Sequence, residues 1–133
     1  MVTGPFGPNG GRMYDMAEYM ILIYGDEQRW NAMSAEEMRR IDEGHEAFRA
    51  KAGAQIISSG QLESSTKAVT LRPGGEARPM VTDGPFLEGK EVVGGFYVIQ
   101  AADLDEAVSL ASGLAELRQD HTGVQVHPLV DHG

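Results

Sequence analysis

The residues of this chain with most chemistry to offer are four histidines and one short acidic turn. His45 stands in the series Met38, Ile41, His45, Phe48 and Ala52, whose three- and four-residue spacing makes one helical face. An imidazole on such a face is either a core histidine tied to a backbone carbonyl or a general acid–base group. In the second case burial and a neighbouring carboxylate would tune its proton affinity. Asp83 precedes Gly84-Pro85 at the end of a strand pattern. It is a good turn residue, because its side chain can bond the following amides, and it is also the natural carboxylate partner for His45. Glu88, Lys90 and Glu91 follow within one short stretch. They are either solvated ion pairs of little energetic value or, beside a pocket, ligands for a carboxylate-bearing small molecule.

The remaining histidines, His121, His127 and His132, follow no standard zinc spacing, and the chain has no cysteine to complete a site. No metal is expected, nor any other cofactor. No phosphate-binding glycine loop of either standard type is present. Trp30 and Tyr24 are expected to pack or to line a pocket.

These residues must be positioned by a small set of elements. Residues Tyr19 to Tyr24 form a continuous apolar run, the pattern of a central strand covered on both faces. Ser34 and Glu37 make a capping box at the start of the His45 helix, which should end near Gly53. Ile56 to Leu62 reads as a second strand. Ala68 to Arg72 and Arg78 to Thr82 flank Pro73-Gly74-Gly75-Glu76 as a hairpin, and Asp83-Gly84-Pro85-Phe86 as a turn. Val92 to Gln100 is a further strand, with Gly94-Gly95 marking a bulge or a close backbone approach. Asp103 and Glu106 cap a second helix with an inner face of Leu104, Ala107, Val108, Ala111 and Leu114. Val124 to Leu129 is the last strand, and Pro128 marks it as an edge or a strand end.

The order is that of the split βαβ, or ferredoxin-like, α+β fold, an antiparallel sheet with two helices. Two helices cover only one sheet face, so the other needs a partner, and a homodimer or higher homo-oligomer is expected. Residues 1–16, rich in glycine and proline at their start, are expected to be a disordered arm. The domain then occupies residues 17–130, with 131–133 as a tail.

A chain of 133 residues can bury one real core. The net charge of −9, with no basic stripe to offset it, makes nucleic acid an unlikely partner. No apolar run approaches the roughly 20 residues that span a bilayer, and no basic-then-apolar signal opens the chain. Without cysteines, disulfides and thiolate catalysis are excluded. A cytoplasmic location is expected.

The stretch Asp83-Gly84-Pro85-Phe86-Leu87-Glu88-Gly89-Lys90-Glu91 resembles the signature of the YCII-related, DGPF-motif family. The resemblance extends over about residues 17 to 130, through Tyr19 to Tyr24, His45 with Phe48, Gly94-Gly95-Phe96-Tyr97, and Asp103 to Ala107. It implies a ferredoxin-like unit of the dimeric α+β barrel group with an active site built from a His and an Asp, by position His45 and Asp83. Gly84, Pro85, Phe86, Glu88 and Lys90 are the expected substrate-binding residues. The chain departs from the family at Gly89, where threonine is common, and at His127, where arginine usually precedes the proline. Most members of the family have no assigned reaction. One related branch includes a dehydrochlorinase acting on a hydroxymuconate ring-cleavage product.

Two readings result. In the first, the His45–Asp83 pair performs proton transfer, isomerisation or elimination on a small carboxylated or aromatic-derived substrate without a cofactor. In the second, the protein is a non-catalytic dimer that binds a metabolite or a regulatory partner. A hydrogen bond between His45 and Asp83 inside a pocket would favour the first.

Overall fold

The computed structural model describes residues 16–75, 78–87 and 89–133. Apart from Met16, the expected N-terminal arm lies outside the described residues, as does Glu88. Six strands and three α-helices are formed among them: β1 (Ala17–Asp26), α1 (Glu27–Asn31), α2 (Ala35–Ala52), β2 (Ile56–Gln61), β3 (Val69–Arg72), β4 (Met80–Asp83), β5 (Glu91–Ala101), α3 (Leu104–Ala111) and β6 (Gly123–Pro128). Four strands make an antiparallel sheet in the order β2-β5-β1-β6, and β3 with β4 makes a separate two-stranded sheet. β5 lies between β1 and β2 and runs antiparallel to both, so the β1-α2-β2 unit is split as its element order suggests. β6, with Pro128, forms one edge.

The sheet is half-covered, which corrects the expectation that β1 is buried on both faces. Tyr19, Ile21 and Ile23 of β1 stand beside Ile99, Tyr97 and Gly95 of β5, and all six are buried. Ile21, Ile99 and Leu114 are the largest side chains fully withdrawn from water, each worth about 1.5–3 kcal/mol of burial. Met20, Leu22, Phe96 and Val98 point the other way and are only half-buried. A continuous apolar run thus serves one dry face and one open face, a distinction that composition alone does not make.

Helix α2 begins as its sequence dictates. Ser34 Oγ accepts from the Glu37 amide at 3.1 Å, and the Glu37 carboxylate accepts from the Ser34 amide at 3.2 Å. The helix stops at Gly53, where φ is 54°. Only Phe48 and Ala52 of its apolar series are buried; Ile41 and His45 are half-buried, and Met38 is exposed. Helix α3 is capped by Asp103, which accepts from the Glu106 amide at 2.8 Å. Its buried residues are Ala107, Leu110 and Ala111, so the packed face is rotated from the expected one and leaves Leu104 and Val108 exposed. The short helix α1 was not anticipated from the sequence. Asp26 caps it by accepting from the Gln28 amide at 3.0 Å.

Of the two alternatives at Gly94-Gly95, a bulge or a close backbone approach, the bulge is present. Ile23 pairs with Gly95 but Tyr24 pairs with Val93, leaving Gly94 as the extra residue. Gly94 and Gly25 both lie against the indole of Trp30, where a methyl group would collide with the ring. The missing side chains seat Trp30, which is fixed further by its Nε1 donating to Gln119 Oε1 at 3.0 Å. Among the described residues, no helix is long and apolar enough to cross a membrane.

Candidate active site

Helix α2 lies over the sheet but leaves a groove beside the β2–β5 edge. The groove encloses about 780 Å³ and is lined by α2, the ends of β2 and β5, Trp30, and Glu116 of the 3-10 turn Ala115–Arg118. His45 is on its wall. The imidazole is bonded on both sides, with Nδ1 2.6 Å from Tyr97 Oη and Nε2 2.6 Å from Glu116 Oε2.

The chemistry of the partners assigns the protons. An ionised carboxylate only accepts, so Nε2 carries hydrogen and donates to Glu116; Nδ1 then accepts from the Tyr97 hydroxyl. The result is a carboxylate–imidazole–phenol relay. Glu116 is 7% exposed, and its other oxygen, Oε1, is buried without a hydrogen-bond partner. A half-satisfied carboxylate is costly in such a place, which marks this network as more than packing.

Local sequence explains how the relay is assembled. Tyr97 belongs to the inward register of β5 with Ile99 and Ala101, and its ring packs on Phe48 with centroids 4.5 Å apart. Gly44 permits helix α2 to approach the 3-10 turn, since a methyl at Gly44 would collide with Ala115 Cβ. The pair Gly44-His45 thereby meets the pair Ala115-Glu116. Burial raises the proton affinity of the Tyr97 phenol above its usual value. The Arg49 guanidinium opposes that shift, and the Glu116 charge adds to it.

The relay is not the pair expected from the sequence. Within the chain His45 bonds to Tyr97 and Glu116 and not to Asp83, and neither Asp83 nor Gly84, Pro85, Phe86 or Lys90 lines the groove. The physical reason is the hairpin. Asp83 ends β4, and β4 pairs only with β3, away from the four-stranded sheet. Gly84, with φ of 96°, turns the chain back over one hairpin face; its carbonyl accepts from Thr70 Oγ1 at 2.7 Å. The Phe86 carbonyl accepts from Arg72 Nη2 at 3.0 Å, and the Arg72 guanidinium lies 4.3 Å from the Phe86 ring centroid. Lys90 is exposed, and its carbonyl accepts from the Glu27 amide at 3.2 Å.

Tyr97 and Glu116 escaped the sequence reading. A faint signal existed for Tyr97, because a phenol at an inward strand position needs a partner. None existed for Glu116, whose placement depends on a non-repeating turn. Among the described residues no three His, Cys, Asp or Glu side chains are grouped to hold a metal ion. His121 Nδ1 accepts from the Asp26 amide at 3.0 Å, whereas His127 is exposed at the sheet edge.

The fold and groove define a small α+β domain with a polar relay set into one wall. A family model, the YCII-related domain, matches residues 17–129. A protein of Rhizobium meliloti (strain 1021) described as uncharacterized protein R00369 is 37% identical over 114 residues, 84% of this chain and 90% of that protein. The chain belongs to the YCII-related domain family.

Proposed function

We propose that the groove is the active site of a cofactor-independent enzyme that moves protons on a small molecule, in isomerisation or elimination, with His45 as its central acid–base residue. The observation that carries this is the Glu116–His45–Tyr97 relay on the wall of a cavity large enough for a metabolite. Both imidazole nitrogens are engaged, so Tyr97 Oη is the group that exchanges protons with a substrate: its own proton moves to His45 Nδ1 as Oη takes one from the substrate, and the reverse transfer returns it. His45 supplies or collects that proton, and the Glu116 carboxylate favours the imidazolium formed in the process. The raised proton affinity of Tyr97 makes the phenolate left by transfer to His45 a stronger base toward the substrate.

The lining favours a particular ligand class. Among the described residues Glu27, Asp42, Glu46, Glu63 and Glu116 contribute five carboxylates against the single arginine Arg49, with Trp30 and Tyr97 as aromatic surface. A neutral or cationic molecule with an unsaturated or aromatic part suits that surface better than the carboxylated substrate suggested by the sequence. The finer fold assignment, a ferredoxin-like unit that dimerises through its open sheet face into an α+β barrel, belongs to the same proposal. It rests on the half-buried Met20, Leu22, Phe96 and Val98. A cytoplasmic location is part of it too.

The test is deuterium incorporation from heavy water into a panel of neutral, cationic and anionic carbonyl compounds with acidic C–H bonds, followed by NMR. Wild type should exchange at least one neutral or cationic compound, and His45→Ala and Tyr97→Phe should lose most of that rate. Compounds that shift the His45 ring signals but never exchange would replace this reading with that of a metabolite-binding module.

A further inference from the structure

The β3–β4 hairpin has one face partly covered by its own returning turn, at Thr70, and one bare face. Register places Thr70, Thr82, Arg72 and Met80 on one side, and the turn beginning at Gly84 folds back onto Thr70 and Arg72 there. The other side carries Val69, Leu71, Val81 and Asp83. Its three apolar side chains are 56%, 62% and 62% exposed. A two-stranded ribbon with an apolar face in water is marginal unless something packs on it.

The hairpin is not hung as a loose lid. It leaves the body after Ser64 and returns before Val92, both of which line the groove, yet none of the described residues between them does. Glu27 holds both of its legs. The carboxylate accepts from the Ser65 amide at 2.8 Å and from the Ser65 hydroxyl at 2.5 Å, and the Glu27 amide donates to the Lys90 carbonyl. A root clamped on both sides fixes the direction of the arm and leaves its bare face open to another molecule.

We infer that this face is covered by a second copy of the chain, the hairpin of each protomer reaching onto the body of the other. Two observations select that occupant. The chain carries a second unpartnered apolar surface, the open face of the four-stranded sheet, so one symmetric association can bury both. Charge points the same way. Residues 67–90 hold Lys67, Arg72, Arg78 and Lys90 against Glu76, Asp83 and Glu88, a net charge of +1 in a chain of −9. An arm of positive sign is drawn to the strongly acidic body of an identical chain. The inference rests on the dimer in the proposed function and names the element that completes it.

The experiment is sedimentation equilibrium of wild type, of Leu71→Lys with Val81→Lys, and of Leu22→Lys on the open sheet face, with circular dichroism as the check of folding. Wild type should sediment at twice the 14.4 kDa chain mass, and the hairpin variant should dissociate at least tenfold more readily. Dissociation of Leu22→Lys alone, with the hairpin variant still dimeric, would overturn the hairpin inference and leave the sheet dimer standing. A wild type that stays monomeric would remove both. Hydrogen exchange of unmodified protein gives the same decision without a variant. Amide protection across 69–72 and 80–83 should fall as the protein is diluted, and protection independent of concentration would overturn the inference.

Discussion

In the four-stranded sheet Ile21 and Ile99 have no exposed surface, whereas in the two-stranded sheet Leu71 and Val81 are each 62% exposed. The residue types are nearly the same, and both sheets are antiparallel. The difference lies in what each ribbon has to rest on. β1 and β5 lie under α2 and α3, which bring Phe48, Ala52, Ala107 and Leu110 onto them. The hairpin has only its own returning turn, and that turn reaches one face. The body is therefore a finished core with a polar relay held in it, and the hairpin is an unfinished one. Strand propensity alone decides neither outcome; the third layer does.

The largest effect expected from this contrast is at Ile99. Ile99→Ala empties a fully buried position and should cost about 2–5 kcal/mol at any protein concentration. Leu71→Ala removes a similar side chain where one chain buries little of it. In dilute monomer it should cost no more than about 0.5 kcal/mol, as surface substitutions do. At high concentration it should lower the unfolding midpoint, because the lost contacts belong to the associated state. Urea unfolding of both variants over a wide concentration range checks the comparison. Equal and concentration-independent losses would erase the distinction between the two sheets.

A smaller effect of unusual sign is expected at Gly44. Glycine to alanine inside a helix ordinarily stabilises by about 1 kcal/mol. Here the added methyl would meet Ala115 Cβ, and overpacking of that kind costs about 1–3 kcal/mol. Gly44→Ala should therefore be net destabilising, and it should push Glu116 away from His45. The imidazole ring resonances in ¹⁵N NMR would report the second consequence. A stabilised variant with unchanged ring signals would show that close approach at Gly44 does not build the relay.

Gly44 also shows where sequence reading stopped. The backbone of the fold was legible because its signals are local. The Ser34–Glu37 capping box, the stop at Gly53 and the irregularity at Gly94-Gly95 all act within a few residues. His45 was legible as a polar residue on an apolar helical face. Its partners were not, because Tyr97 and Glu116 lie 52 and 71 residues away. Its conspicuous turn and the family resemblance point to Asp83 in their place. Proximity in a motif says nothing of where a clamped hairpin points, and only the pairing of β4 with β3 alone reveals it. The rotation of the α3 face has a similar origin, since Leu104 and Val108 fit the helical spacing as well as Leu110 does.

The finest test concerns the clamp itself, because the contrast between body and arm holds only while the arm has a fixed root. Two hydrogen bonds from Ser65, first from its hydroxyl and then from its amide, hold the Glu27 carboxylate below its usual proton affinity; burial opposes them weakly. A carboxylate with a depressed value in the folded state stabilises that state at pH above its ordinary value of about 4.3. This contribution fades as the pH falls through the lower folded value. The carboxylate remains well hydrated, so the change is small and best followed at the group itself. A ¹³C NMR titration of the Glu27 side chain should place its midpoint below the ordinary glutamate range. Ser65→Ala should move it back toward that range, since the hydroxyl is lost while the amide bond remains. Amide protection in the hairpin should decline over the same acid interval in wild type. If Glu27 titrated as a free glutamate, the root would be a hinge, and the hairpin would have to be read as a lid over its own groove.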